Sequence, residues 1–244
     1  MLKKIGLIGL PVILLIGILG FVIWGSTPLP ATSEAQAALE TTPQVVVETP
    51  ADKIVFRPTA SQPKTGFIFY PGGRVDNHAY APLLRSIAGQ GYLVVLVPMP
   101  LNLAVFGVDL AQNVIDANPQ IQHWAIGGHS LGGSMAAQFV INHPGKVAGL
   151  VFWASYPGAS MLDNPVQVLS ISGSQDGLAT PQKIDEGRKL EPANTQFVVI
   201  AGGNHAQFGS YGLQPGDGQA TIPPSAQWEQ TVKATADLLK QIGQ

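Results

Sequence analysis

Cysteine is absent from all 244 positions. That excludes a disulfide framework, a thiolate metal site and a thiol nucleophile. Charge is also scarce: Asp, Glu, Lys and Arg make up 11% of the residues, and 13 basic against 15 acidic side chains leave a formal net charge of −2. With no basic excess, nothing points to nucleic acid or to an anionic surface as a partner. No internal repeat is present, and biased composition is confined to one stretch near the N-terminus. Apolar residues are abundant, at 45% of the chain. The length suits one domain of ordinary size with an appendage.

The appendage begins with Lys3 and Lys4, followed by an uncharged run from Ile5 to Trp24. At about 1.5 Å per residue such a run spans about 30 Å, the thickness of a bilayer core. Trp24 stands at its far end, where an interfacial aromatic is expected, and no Lys or Arg follows until Lys53. This charge bias keeps the N-terminus in the cytoplasm and exports the rest. The rival is a cleaved signal peptide, for which Ala35-Gln36-Ala37 offers a small-x-small site. The run is longer than an ordinary apolar signal segment and that site lies far from its end, so an uncleaved single-pass anchor over residues 1–24 is favoured over secretion. From 25 to 51 the composition turns to Pro, Thr, Ala, Ser and Glu, with Pro28, Pro30, Pro43 and Pro50. It predicts a disordered tether with a coil reach of about 30 Å.

Residues 52–244 form the globular part. Its organising stretch is Gly127-Gly128-His129-Ser130-Leu131-Gly132-Gly133. The short apolar run Trp124-Ala125-Ile126 precedes it and the helix-like Ser134–Val140 follows. Strand, Gly-x-Ser-x-Gly, helix is the context in which a serine hydroxyl is thrust out at the top of a sheet. The turn is too sharp for side chains two residues either side of the serine, and Gly128 and Gly132 remove them. The helix that starts there aims its free N–H groups at the site. Elsewhere short apolar runs alternate with helical patterns, predicting an α/β domain with a mostly parallel sheet covered on both faces. Strands are expected at Ile54–Phe56, Gly66–Tyr70, Tyr92–Val97, Trp124–Gly127, Val147–Trp153, Val166–Ser172 and Gln196–Ile200. Helices are expected near 79–88, 105–117, 130–142, 181–190 and 225–242. In the last, Trp228, Val232, Ala236, Leu239 and Ile242 make one apolar stripe.

The order of elements, the Gly128-His129-Ser130-Leu131-Gly132 turn and a late histidine resemble the α/β-hydrolase family over about Lys53–Gln244. Within the family the resemblance is to small, capless, dienelactone-hydrolase-like members, where a cysteine stands in place of Ser130. The resemblance implies the α/β-hydrolase fold and the chain order nucleophile, acid, histidine. His129 lies inside the turn, His123 at the wrong end of its strand, and His143 at a helix end, where it would cap carbonyls. His205, in a glycine-rich loop after Gln196–Ile200, matches the family's base position. Asp176, in Gly173-Ser174-Gln175-Asp176-Gly177, follows the strand between nucleophile and base and is the expected acid. Asp163 precedes that strand, and Asp217 follows His205, out of order. The oxyanion donors implied are the Leu131 N–H and one from Tyr70-Pro71-Gly72-Gly73-Arg74-Val75-Asp76, either Gly73 or Arg74. Pro71 stands where the family usually has histidine.

These residues predict a membrane-tethered serine hydrolase that works through an acyl-enzyme on a small-molecule ester, with no metal or organic cofactor. The alternative is a non-catalytic binding domain on the same fold, since fold does not fix function. Between Trp153 and Val166 the chain has two prolines, a glycine and little periodicity, so no lid helix is expected there. His78, Tyr156, Met161 and Leu162 are the expected walls of a shallow substrate site. No motif encodes the acyl group, the alcohol or the oligomeric state.

Overall fold

The computed structural model describes residues 2–244, with side chains from residue 13 onward. Eight strands form one sheet in the order β1-β2-β4-β3-β5-β6-β7-β8. They are β1 (Val45–Glu48), β2 (Ile54–Pro58), β3 (Thr65–Tyr70), β4 (Leu93–Leu96), β5 (His123–His129), β6 (Gly149–Trp153), β7 (Gln167–Gly173) and β8 (Gln196–Ile200). β1 and β2 run antiparallel at one edge; every pairing from β4 to β8 is parallel.

The near-continuous apolar runs follow from burial on both faces. Alternate residues feed two separate cores. Phe67, Phe69, Val94, Leu96, Val151 and Trp153 point to one core, shared with the helices α3 (Ala81–Ala88), α6 (Pro181–Gly187) and α7 (Pro224–Ile242). Ile68, Tyr70, Val95, Ile126, Leu150 and Phe152 point to the other, shared with α4 (Leu110–Asp116) and α5 (Leu131–Asn142). Each fully buried large side chain of this kind contributes about 1.5–3 kcal/mol. Local signals set the helix starts. Pro181 occupies the first position of α6, and the Thr180 hydroxyl accepts from the Lys183 N–H.

Residues 25–51 depart from the disordered tether expected of them. They carry the short helix α2 (Ser33–Ala37) and β1, and they pack on the domain. The Thr32 side chain caps α2 and meets Ser210 Oγ at 2.6 Å. Ala35, Ala38 and Val45 are buried, and β1 extends the sheet by pairing with β2. The prolines do not prevent this because neighbouring loops satisfy the backbone; the Leu29 N–H, for example, donates to Arg74 O at 2.7 Å.

The helix α1 spans Leu2–Gly25. From Ile13 to Trp24 its large apolar side chains are exposed. Among the described residues no helix is long and apolar enough to cross a membrane. The first half of the expected anchor, residues 1–12, lies outside the residues whose side chains are described.

Candidate active site

Loops leave the C-terminal ends of the parallel strands β3, β5, β6, β7 and β8, where open α/β sheets place their sites. Ser130 follows β5 and opens α5. Its backbone is left-handed, at φ 52° and ψ −123°, a sparsely populated conformation held by its surroundings. Its N–H donates to Trp153 O at 3.0 Å, and its carbonyl accepts from Ser155 Oγ at 2.6 Å. The flanking glycines leave no space for a side chain. A Cβ on Gly128 would lie 2.5 Å from the Gly132 carbonyl carbon, and one on Gly132 would run into the carbonyl oxygens of Tyr70 and Pro71.

Asp176 and His205 meet as a buried pair, with Asp176 Oδ2 2.8 Å from His205 Nδ1. The other carboxylate oxygen of Asp176 accepts from the N–H groups of Leu178 and Ala179 at 2.8 and 2.7 Å, which fixes its plane. A carboxylate can only accept here, so Nδ1 carries the imidazole proton and Nε2 is left with a free lone pair. Ser130 and His205 line one cavity of about 370 Å³.

The loop that carries His205 is held by two residues that the sequence did not mark for this role. The Gln227 side chain, fully buried in α7, accepts from the Asn204 N–H at 3.0 Å and donates to Asn204 O at 2.8 Å. Asp217 accepts from the N–H groups of His205, Ala206 and, across on the loop that carries Asp176, Gly177, at 3.3, 2.8 and 3.0 Å. It therefore ties the two loops together without touching the imidazole. Asp217 has none of the acid's contacts.

His129 lies against His205, with ring centroids 4.4 Å apart. Its Nδ1 is 2.9 Å from the Tyr80 hydroxyl, which accepts from the Gly72 N–H at 2.9 Å. Burial, and then the charge of neighbouring His205, hold His129 well below the ordinary histidine pKa, so it stays neutral. His143 does not cap carbonyls with its ring; Nε2 pairs with Asp109 Oδ1 at 2.8 Å.

The Arg74 N–H is committed to Asn102 O at 2.8 Å, whereas the N–H groups of Gly73 and Leu131 have no acceptor among the described residues. The free N–H of that loop is therefore Gly73's, and Gly73 sits beside Leu131: a Cβ on Gly73 would lie 3.1 Å from Leu131 Cδ2.

Of the expected walls, Tyr156 lines the cavity with Leu131, Leu178 and Ala179. The other three are elsewhere. Met161 is buried in the core on the α4 and α5 side, drawn in as its N–H donates to Leu190 O. Leu162 is exposed, and His78 Nδ1 pairs with Asp76 Oδ1 at 2.7 Å, away from the cavity lining. The segment between Trp153 and Gln167 contains no helix, so no lid covers the cavity from there.

The sequence model of the alpha/beta hydrolase family matches residues 66–229. No curated protein matches the chain. A predicted CIB-like hydrolase from Thermoplasma acidophilum superposes with a TM-score of 0.59 at 15% identity, over 81% of this chain and 98% of that one. The thermophilic esterase Est2 from the planctomycete Thermogutta terrifontis gives 0.58 at 12% identity, over 82% of this chain and 93% of that one. Its butyrate-bound form gives the same score and identity, over 82% and 95%. At these identities the likeness is one of fold.

Proposed function

The chain belongs to the α/β-hydrolase family, and we propose that within it the protein is a serine hydrolase acting on small carboxylic esters. The observation that carries this is the His205 imidazole, locked by Asp176 on one nitrogen and lining one cavity with the Ser130 side chain. Ser130 attacks the ester carbonyl while His205 Nε2 takes its proton. The tetrahedral oxyanion forms against the N–H groups of Leu131 and Gly73, at the start of α5, where the free N–H groups and helix dipole also favour negative charge. His205 returns the proton to the departing alcohol, leaving an acyl-enzyme. Water, activated by the same imidazole, then frees the acid.

The cavity selects short acyl groups. Leu131, Tyr156 and Leu178 are the large apolar side chains of its lining, too few to bury a long chain, and each buried methylene is worth only about 0.8 kcal/mol. Butyrate in the similarly folded esterase is of the size we propose. Hydrolysis of p-nitrophenyl esters of increasing chain length should be fastest for acetate to butyrate. Activity should not jump when substrate passes from dissolved to emulsified. A preference for long-chain esters, or a jump at that boundary, would exclude an uncovered site.

We further propose that α1 tethers the domain outside the cytoplasmic membrane, on the strength of Lys3 and Lys4 ahead of an uncharged apolar run and the exposure of Ile13–Trp24. A C-terminal fusion to alkaline phosphatase, active only after export, should give signal. Signal only from a cytoplasm-active reporter would reverse the topology.

A further inference from the structure

The oxyanion loop is fastened to the N-terminal segment by the Arg74 side chain and by backbone bonds on either side of it. Helix ends leave carbonyls without partners, and α1 ends at Gly25. Arg74 fills this end. Its Nε donates to Trp24 O at 2.9 Å, its Nη2 donates to Thr27 O at 2.8 Å, and its guanidinium lies 4.5 Å from the Trp24 ring centroid. A cation at a helix C-terminus also complements the helix dipole. Asn102 takes the next carbonyl, with Nδ2 donating to Gly25 O at 2.9 Å.

The backbone of the same residue is tied as well. Arg74 N donates to Asn102 O at 2.8 Å, Arg74 O accepts from Leu29 N at 2.7 Å, and Asp76 N donates to Leu29 O at 2.9 Å. Leu29 and Val75 form a β-bridge. Arg74, Leu101 and Asn102 have φ of 56°, 53° and 53°, three of the five non-glycine residues with left-handed backbone among the described residues. Such conformations persist only where the surroundings over-determine them, and they cluster at functional sites. Here the peptide unit being over-determined follows directly on Gly73.

We propose that Arg74 is a positioning residue for the oxyanion site: it anchors the Gly73 N–H to residues 24–29, making that segment a working part of the active site. This presupposes the serine-hydrolase function above and Gly73 as its second donor. Arg74 itself touches no substrate. A donor displaced by a fraction of an ångström still permits substrate binding but stabilises the transition state less.

The test uses the full chain with a short p-nitrophenyl ester. Arg74→Ala should lower kcat by about tenfold to a hundredfold, less than or equal to the loss of a whole oxyanion donor, while KM moves by less than about twofold. The pH profile of kcat/KM should keep its limbs, because the His205–Asp176 pair is untouched. Arg74→Lys should recover part of the rate, since an ammonium keeps the charge but cannot span both carbonyls. Asn102→Gly keeps the left-handed backbone and loses only the bond to Gly25 O; its drop should be smaller and again in kcat. Wild-type kcat in Arg74→Ala alongside an inactive Ser130→Ala would overturn the proposal and leave the hydrolase standing, as would a rise in KM alone. Activity in Ser130→Ala would overturn the hydrolase itself. Should Arg74→Ala fail to fold by circular dichroism, unchanged kcat in both Arg74→Lys and Asn102→Gly would overturn the proposal.

Discussion

His205→Ala should lower kcat for a short ester by about four to six powers of ten, with thermal unfolding little changed. The size follows from the part the ring plays in both half-reactions. Without it Ser130 has no base for attack, the alcohol no acid for departure, and the attacking water no base. Residual turnover would come from the oxyanion donors alone. Stability should hold because the loop is fixed by the Gln227 bonds to Asn204 and the Asp217 bonds to His205 and Ala206, all made to backbone atoms that alanine keeps. The same change at His78 or His143 should cost far less, since each pairs with a partly exposed or exposed aspartate outside the cavity. Steady-state kinetics and thermal melts on the three variants check this. A near-wild-type rate in His205→Ala would remove the base assignment.

Asp176→Asn should cost about 10⁴ in kcat. An amide can turn an N–H toward Nδ1 and so hold the ring in the tautomer whose Nε2 carries a proton and cannot act as base. The N–H groups of Leu178 and Ala179 accentuate this: they require an acceptor at Oδ1, which forces the amide nitrogen toward His205. Asp217→Asn is the control. It disturbs the four backbone donors around that carboxylate, those of Gly177, His205, Ala206 and Gly218, but leaves the imidazole tautomer alone. Its loss should be about tenfold. Reversed magnitudes in the two variants would make Asp217 the acid.

Much of this was legible in the sequence because its signals are local. Gly128 and Gly132 mark a turn that excludes side chains, and doubly covered strands must be apolar throughout, so β3 to β8 stand out as runs. Asp176 and His205 were singled out by their positions after strands, in the chain order that the family resemblance implies, and the structure pairs them. What was missed depends on contacts distant in sequence. Gln227, Thr231 and Thr235 recur every four residues on α7, outside the apolar stripe, yet they are fully buried. Their polar atoms are satisfied inside, on Asn204, on the preceding turn of the helix and by the Trp153 indole N–H. Burial of this kind leaves no hydrophobic period to detect. Residues 25–51 were misjudged for the same reason. Four strand residues and a five-residue helix carry too little apolar area to announce themselves, and are ordered by partners at Arg74, Ser210 and β2. In the loop after Trp153, Met161 and Leu162 look alike by composition, but one is drawn into the core and the other left in solvent.

The central claim, that Ser130 is the nucleophile of this site, is tested most directly by labelling the folded protein with a fluorophosphonate probe and mapping the adduct by mass spectrometry. The account predicts one covalent adduct, on Ser130, absent from Ser130→Ala and strongly slowed in His205→Ala. An unlabelled wild-type protein, or an adduct that persists in Ser130→Ala, would contradict it.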